Sequence, residues 1–340
     1  MSSPDADAPA PTLTPEEAAA GVLLADPRWG YKYTQEGSGL VQPFDFVLGA
    51  VGELRQKLEP KPHDVFIATY PKCGTTWMQQ IVMLLLRGSS ERVDPMKDAP
   101  WLEMAVSRAA SGVAPPSGTP SLDCAALAAL GPPEGDGGRR VWKSHAPASA
   151  VPWRGGPAAA AAAGARAIIV CRNAKDAAVS MLHHTRNIPG FGFHGGWDEF
   201  VPLFLEGRVE SSSIWEWHRG WWEAATASPQ CVLVVHFEDL KANLAAEVGR
   251  VAAHLGLERS AAELAAVAAR CTFEAMKAEA AERDAATVKA GGVVKKEHFR
   301  QGKTGGWREL MSPAQLAAFD AKEAELQAAV GETGHGFRPV

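Results

Sequence analysis

The sequence predicts an α/β fold, a single domain with a central parallel β-sheet and helices on both faces. Three observations carry that expectation. Four short apolar runs rich in β-branched residues lie at 64–70, 139–145, 165–173 and 230–240. Three of them lead directly into segments with helical patterning, and repeated βα units imply a parallel sheet buried on both sides. With 340 residues, 46% of them hydrophobic, the chain is long enough to bury one large core of this kind.

Residues 1 to about 15, "MSSPDADAPAPTLTP", are acidic and rich in proline, with neither a basic n-region nor an apolar h-region. They are expected to form a disordered lead, and residues 16–340 the domain. "DVFIATY" (64–70) is the first buried strand. It passes through "PKCGTT" into the apolar helix "WMQQIVMLLLR". A Walker loop places its lysine after the second glycine, whereas Lys72 precedes Gly74. A strand, a glycine turn and a helix start together offer backbone N–H groups and a positive dipole end to an anion. Thr75 and Thr76 add hydroxyls and Pro71 restricts the turn. The same spacing also suits an ordinary βα turn with a solvated lysine.

Residues 106–138 are biased toward alanine, proline and glycine and read as an insertion-like surface loop with short helical pieces. "RRVWKSH" (139–145) is the second strand. Alternation puts Lys143 and His145 on one side of it, a cation beside a base. "GGPAAAAAAG" (155–164) fits either a helical turn or a low-complexity bridge. "ARAIIVCRN" (165–173) is the third strand, followed by the helix "AKDAAVSMLHH". Arg172 at the strand end, with Ser180 two helical turns on, suits a phosphate, and equally a surface arginine and a helix-facing serine. His183 and His184 lack metal-ligand spacing, and no carboxylate partner is evident for them. Trp215, Trp217, Trp221 and Trp222 read as core. "QCVLVVHFEDL" (230–240) is the fourth strand.

"FRQGKTGGWREL" (299–310) contains a decoy. Gly302-Lys303-Thr304 matches the tail of a Walker loop, but the required first glycine falls on Glu297 and no strand precedes it. Arg300 and the glycines suggest instead a loop that closes over an anion. A formal charge of −5 and a pI near 6.1 exclude a nucleic-acid protein that relies on bulk positive charge. The five cysteines are scattered, without C-x-x-C pairs, so neither a metal site nor a disulfide framework is expected. The most apolar run, "IVMLLL", is far too short for a membrane span. A cytoplasmic location is expected.

Taken in order, "TYPKCGTTW", "KSHAP", "CRNAKDAAVS" and "FRQGKTGGW" resemble the cytosolic sulfotransferase family, whose P-loop-like domain moves a sulfuryl group from 3′-phosphoadenosine 5′-phosphosulfate (PAPS) to small acceptors. The resemblance spans roughly residues 40 to 310. It implies His145 as general base, Lys143 as stabiliser of the transferring group, and Lys72 at the bridging oxygen of the donor. Cys73, Gly74, Thr75 and Thr76 would cradle the 5′ side, and Trp77, Phe237, Thr272, Phe273 and Met276 would surround the adenine. Arg172, Ser180, Arg300, Gln301 and Gly302 would lie at the 3′-phosphate. Adenosine 3′,5′-bisphosphate (PAP) would be the product, and no metal would be needed.

The sequence also departs from the family pattern. Cys73 stands in place of a serine and Phe237 in place of a tyrosine. Gln301 replaces a lysine and Gly306 an aspartate. A thiol beside Lys72 implies weaker donor binding or sensitivity to oxidation. The familiar dimer motif after Trp307 is absent and Pro313 interrupts the segment, which leaves the oligomeric state open. The acceptor pocket is expected around residues 29–33, 85–110, His184 and Phe193. A non-catalytic adenosine-bisphosphate-binding homologue is the alternative, and a P-loop kinase a more distant one.

Overall fold

The computed structural model describes residues 12–112, 122–132, 136–289 and 304–331. Its main sheet consists of β4 (Val65–Thr69), β5 (Val141–Ser144), β6 (Arg166–Cys171) and β7 (Val232–His236). The strand order is β5-β4-β6-β7 and every pairing is parallel. Alternate residues enter opposite layers, as the strand period requires. Phe66, Ala68, Trp142 and Ile169 join one apolar cluster, while Val65, Ile67, Val141 and Ile168 join the other. Burial on both faces explains why these runs are apolar without interruption.

Ile67 lies beside Lys143 and Ile168, and Cys171 beside His236. The register therefore brings the loop after β4, His145, Arg172 and Phe237 to the same end of the sheet. Ligands bind beyond the carboxyl ends of strands in sheets of this kind. The helix Thr75–Arg87 packs in the second layer with Leu244–His254 and Ala261–Arg270. The tryptophan-rich helix Ile214–Ala227 lies in the first layer, and its four tryptophans are buried as expected. Two of them also brace the end of β5: Trp217 Nε1 donates to the His145 carbonyl (3.0 Å) and Trp221 Nε1 to that of Ala146 (3.1 Å).

Several expectations need correction. A second, antiparallel sheet of β1 (Leu23–Asp26), β2 (Gly30–Gln35) and β3 (Val41–Pro43) was not foreseen. Thr14 caps the helix Pro15–Ala19 in a reciprocal capping box with Glu17; residues 1–11 lie outside the described residues. Within 106–138, residues 113–121 and 133–135 lie outside the described residues, and the described part includes the expected short helical pieces, which are partly buried. The helix Leu102–Ser111 runs into this stretch, and Cys124–Ala129 buries Cys124 and Leu127 against Leu48–Lys57. The alanine run is helical, Gly156–Ala162. Pro313 starts the helix Pro313–Val330, at the first-turn position where a missing N–H costs nothing. Among the described residues no helix is long and apolar enough to cross a membrane.

Candidate active site

The loop between β4 and the helix Thr75–Arg87 turns on two left-handed residues, Lys72 (φ 70°) and Gly74 (φ 109°). The conformation at Gly74 favours glycine, and a Cβ there would also crowd the Phe237 ring at 3.1 Å. Left-handed backbone at a non-glycine residue costs on the order of 1–3 kcal/mol and must be held in place by its surroundings. Arg172 supplies one such hold: its Nη1 donates to the Lys72 carbonyl at 2.8 Å. The same guanidinium lies 4.3 Å over the Phe237 ring, which meets Trp77 edge-on at 5.4 Å. Loop, β6 end and β7 end are thereby locked together around a helix N-terminus. Lys72, Thr76 and Trp77 remain half-buried there.

Cys73 corrects an expectation. It has no exposed surface, and burial pushes its thiol up to about 12. A protonated, buried thiol is inert, so the loop carries no redox liability at this position. Thr75 is buried too, its hydroxyl 2.5 Å from that of Thr69.

His145 follows β5. Its Nδ1 is 2.7 Å from the Thr69 carbonyl and 3.4 Å from the Thr69 hydroxyl. A carbonyl can only accept, so Nδ1 carries the proton and Nε2 presents a lone pair. Burial first, and then the charge of Lys143, push this imidazole down to about 3, which keeps it neutral. Lys143 and His145 share one neighbour, as the alternation predicted: the Lys143 ammonium sits 4.0 Å over the Trp101 ring, and the His145 ring meets Trp101 edge-on at 4.8 Å. Cation and base are thus fixed on one aromatic plate.

The remaining predicted site residues are less tightly gathered. Ser180 is half-buried on the helix Ala174–Asn187. Thr272 is exposed and caps the next turn, accepting from Ala275 N at 3.2 Å. Phe273 is half-buried and Met276 buried at the start of Phe273–Lys289, a helix tied to Thr75–Arg87 by Gln80 and Glu279 (3.0 Å). Arg300, Gln301 and Gly302 lie outside the described residues. The chain just beyond them is anchored, since the Gly305 and Gly306 N–H groups donate to Asp176 at 2.8–3.1 Å. That bond joins the segment to the first turn of the helix that Arg172 precedes.

A family model described as the sulfotransferase domain matches residues 62–329. The chain belongs to the sulfotransferase family. Sulfotransferase 6B1 of Homo sapiens is 26% identical over 290 residues, covering 85% of this chain and 84% of its own length. Sulfotransferase 1C2 of Homo sapiens is 27% identical over 274 residues, covering 78% and 83%. Among solved structures, retinol dehydratase in complex with androsterone and inactive cofactor PAP superposes with a TM-score of 0.72 at 21% identity, covering 96% of both chains. Mouse sulfotransferase SULT7A1 complexed with PAP gives 0.67 at 22%, covering 87% of this chain and 94% of its own. These two likenesses establish the sulfotransferase fold.

Within that fold, three acidic residues that the sequence did not single out support the site. Glu103 is 1% exposed, and its Oε1 accepts from the Ser144 hydroxyl (2.7 Å) and the His145 N–H (3.1 Å). Burial holds its carboxyl above the usual range. Asp176 anchors the returning glycines. Glu210, 2% exposed, gives His184 the carboxylate partner that the sequence did not reveal, at 3.2 Å. Burial works to raise Glu210. The hydrogen bond and charge of His184, with the positive charge that His145 and Lys143 can carry, outweigh burial and leave it lowered. A signal for these residues existed only as isolated Glu and Asp letters, which usually mark solvated surface.

Proposed function

We propose that this sulfotransferase moves a sulfuryl group from PAPS to a hydroxyl or amine of a small acceptor by in-line transfer, with His145 as general base. The carrying observation is the His145 geometry. Its proton is committed to the Thr69 carbonyl, its ring shares the Trp101 plate with Lys143, and β5 pairs with β4, which leads into the glycine loop. The donor reading draws support from the fold neighbours complexed with PAP, and the acceptor reading from retinol dehydratase, which binds the small molecules androsterone and retinol.

The residues present fit a nucleotide with two separate anionic groups. The left-handed Gly74 turns the chain into the first turn of Thr75–Arg87, which presents its dipole, and Lys72 and Arg172 supply cations. PAPS supplies an activated sulfuryl group on a phosphate leaving group. Lys72 neutralises the leaving side, Lys143 neutralises charge at the transferring group, and His145 Nε2 takes the acceptor proton. An anion bound beside His145 favours its cationic form, so the imidazole becomes a stronger base when the donor is in place. Trp77 and the 272–276 segment would flank the adenine, and Ser180 with the 300–302 segment would complete the 3′-phosphate site.

Two measurements test the proposal together. PAP titrated by calorimetry should bind as a single site, and ³⁵S from labelled PAPS should move to members of a phenol, alcohol and amine panel. PAP binding without transfer to any acceptor would leave a non-catalytic binding protein. Dependence on ATP and Mg²⁺ in place of PAPS would favour a kinase.

A further inference from the structure

β5 lies at the edge of the main sheet; Lys143 and Ser144 end it and His145 follows. The stretch 100–103, "PWLE", runs beside that end and takes hold of all three residues in turn. The Lys143 N–H donates to the Pro100 carbonyl at 2.9 Å, and Trp101 pairs with Lys143 in an isolated parallel bridge. Glu103 Oε1 accepts from the Ser144 hydroxyl and from the His145 N–H. One short stretch thus sets the backbone from which cation and base project.

The Trp101 side chain adds a hold that acts on the ammonium itself. A lysine charge rides on a long flexible stem, and fixing the backbone alone does not fix its position. Here the Lys143 ammonium sits 4.0 Å over the Trp101 ring, and tryptophan offers the strongest cation–π face. Lys143 and Trp101 are each 8% exposed, so the contact is shielded from water, where such an attraction is strongest. The ring is itself held. Phe46 packs on it at 5.2 Å and the His145 ring meets it edge-on. Trp101 also stands at the N-cap of the helix Leu102–Ser111, which Arg108 ties to Asp45, the neighbour of Phe46.

We propose that Trp101 is a positioning residue that acts through Lys143: its indole face holds the ammonium beside His145, so that charge and base meet the reacting groups together. The inference rests on the transfer reading, but its first test does not depend on turnover. With ¹³C at the lysine ε-carbons, the Lys143 methylene protons, assigned by their loss in Lys143→Met, should resonate well upfield of the other lysines, because the indole ring shields them. In Trp101→Leu they should return to the common position. An unshielded Lys143 signal in the unaltered protein would overturn the proposal.

The second test follows ³⁵S from labelled PAPS. In Trp101→Leu kcat should fall about 2–30-fold, the range of a cation–π contact, with the KM for PAPS little changed, and Trp101→Phe should restore part of the loss. In a Lys143→Met background the leucine substitution should cost nothing further, and the fractional loss should be equal for phenol and cyclohexanol as acceptors. A full further loss on Lys143→Met, or a loss confined to phenol, would overturn the proposal, since the ring would then act on the fold or on the acceptor. Where Trp101→Leu does not fold, Trp101→Phe, a weaker face, carries both tests with smaller changes. A shielded Lys143 signal in a protein without ³⁵S transfer would defeat the transfer reading and leave the hold on Lys143 standing.

Discussion

On one side of the sheet end stand the loop Tyr70–Gly74, Arg172 and Phe237; on the other stand Trp101, Glu103, His145, His184 and Glu210. The first group carries its chemistry in contiguous runs, each a strand end flowing into a helix start, and its internal contacts are between adjacent strands. The second group is collected from four separate segments, and its contacts join residues 26 to 44 positions apart, such as Glu210 with His184 and Trp101 with His145. On the proposed reading, the first group, built from strand ends and a helix start, holds the donor anion, and the second handles the acceptor proton. Substitutions on the loop side should therefore act mainly on donor affinity, and those on the histidine side mainly on turnover.

The largest departure from an even split should come from Lys143→Met, which keeps an apolar stem against Trp101 and removes the charge. Turnover with labelled PAPS should fall about 10²–10³-fold, as for loss of one charge-stabilising donor, with PAP affinity in calorimetry reduced far less. A variant with unaltered kcat would make Lys143 a structural lysine. On the loop side, Gly74→Ala forces a side chain into left-handed backbone and against Phe237. It should lower stability in urea titration by about 1–3 kcal/mol and weaken PAP binding. Unaltered PAP affinity would show that the loop does not cradle the donor.

Acid should separate buried histidine from surface charge. Burial first, then His236, hold His218 down to about 3, whereas an unfolded histidine titrates near 6.5. The unfolded chain therefore binds the proton first as pH falls. The His218 contribution is fully present above about 6.5 and is lost progressively toward about 3. Between pH 7 and 5, urea titrations should show the unaltered protein losing about 2 kcal/mol more than His218→Gln. Equal losses would mean that His218 is not held neutral. The smallest effect belongs to Cys73→Ser: mild oxidant should leave the PAP affinity of the unaltered protein unmoved, because the thiol is buried and protonated. An oxidant-dependent loss that the serine variant abolishes would place the thiol at the donor after all.

The same contrast explains what the sequence disclosed. The βα units were legible because both-face burial writes strands as unbroken apolar runs, and in the first of them because Gly74 marks the turn into the helix. The β1–β3 sheet was not, since "GYKYTQ" alternates polar residues and lacks the apolar signal. Lys143 and His145 could be paired by strand period alone. Glu103 and Glu210 could not, because their partners are brought near only by the fold. The helix that Pro313 opens was not foreseen either, although Ser312 and Gln315 spell its capping box.

The central claim is that binding and proton transfer reside in different halves of this site. Measuring PAP affinity and ³⁵S transfer side by side in His145→Ala tests it most directly. Affinity should stay within a few-fold of the unaltered protein while the transfer rate drops about 10²–10⁴-fold, the usual cost of removing a general base. Full turnover in His145→Ala would contradict the assignment of the base, and loss of PAP binding together with turnover would contradict the division itself.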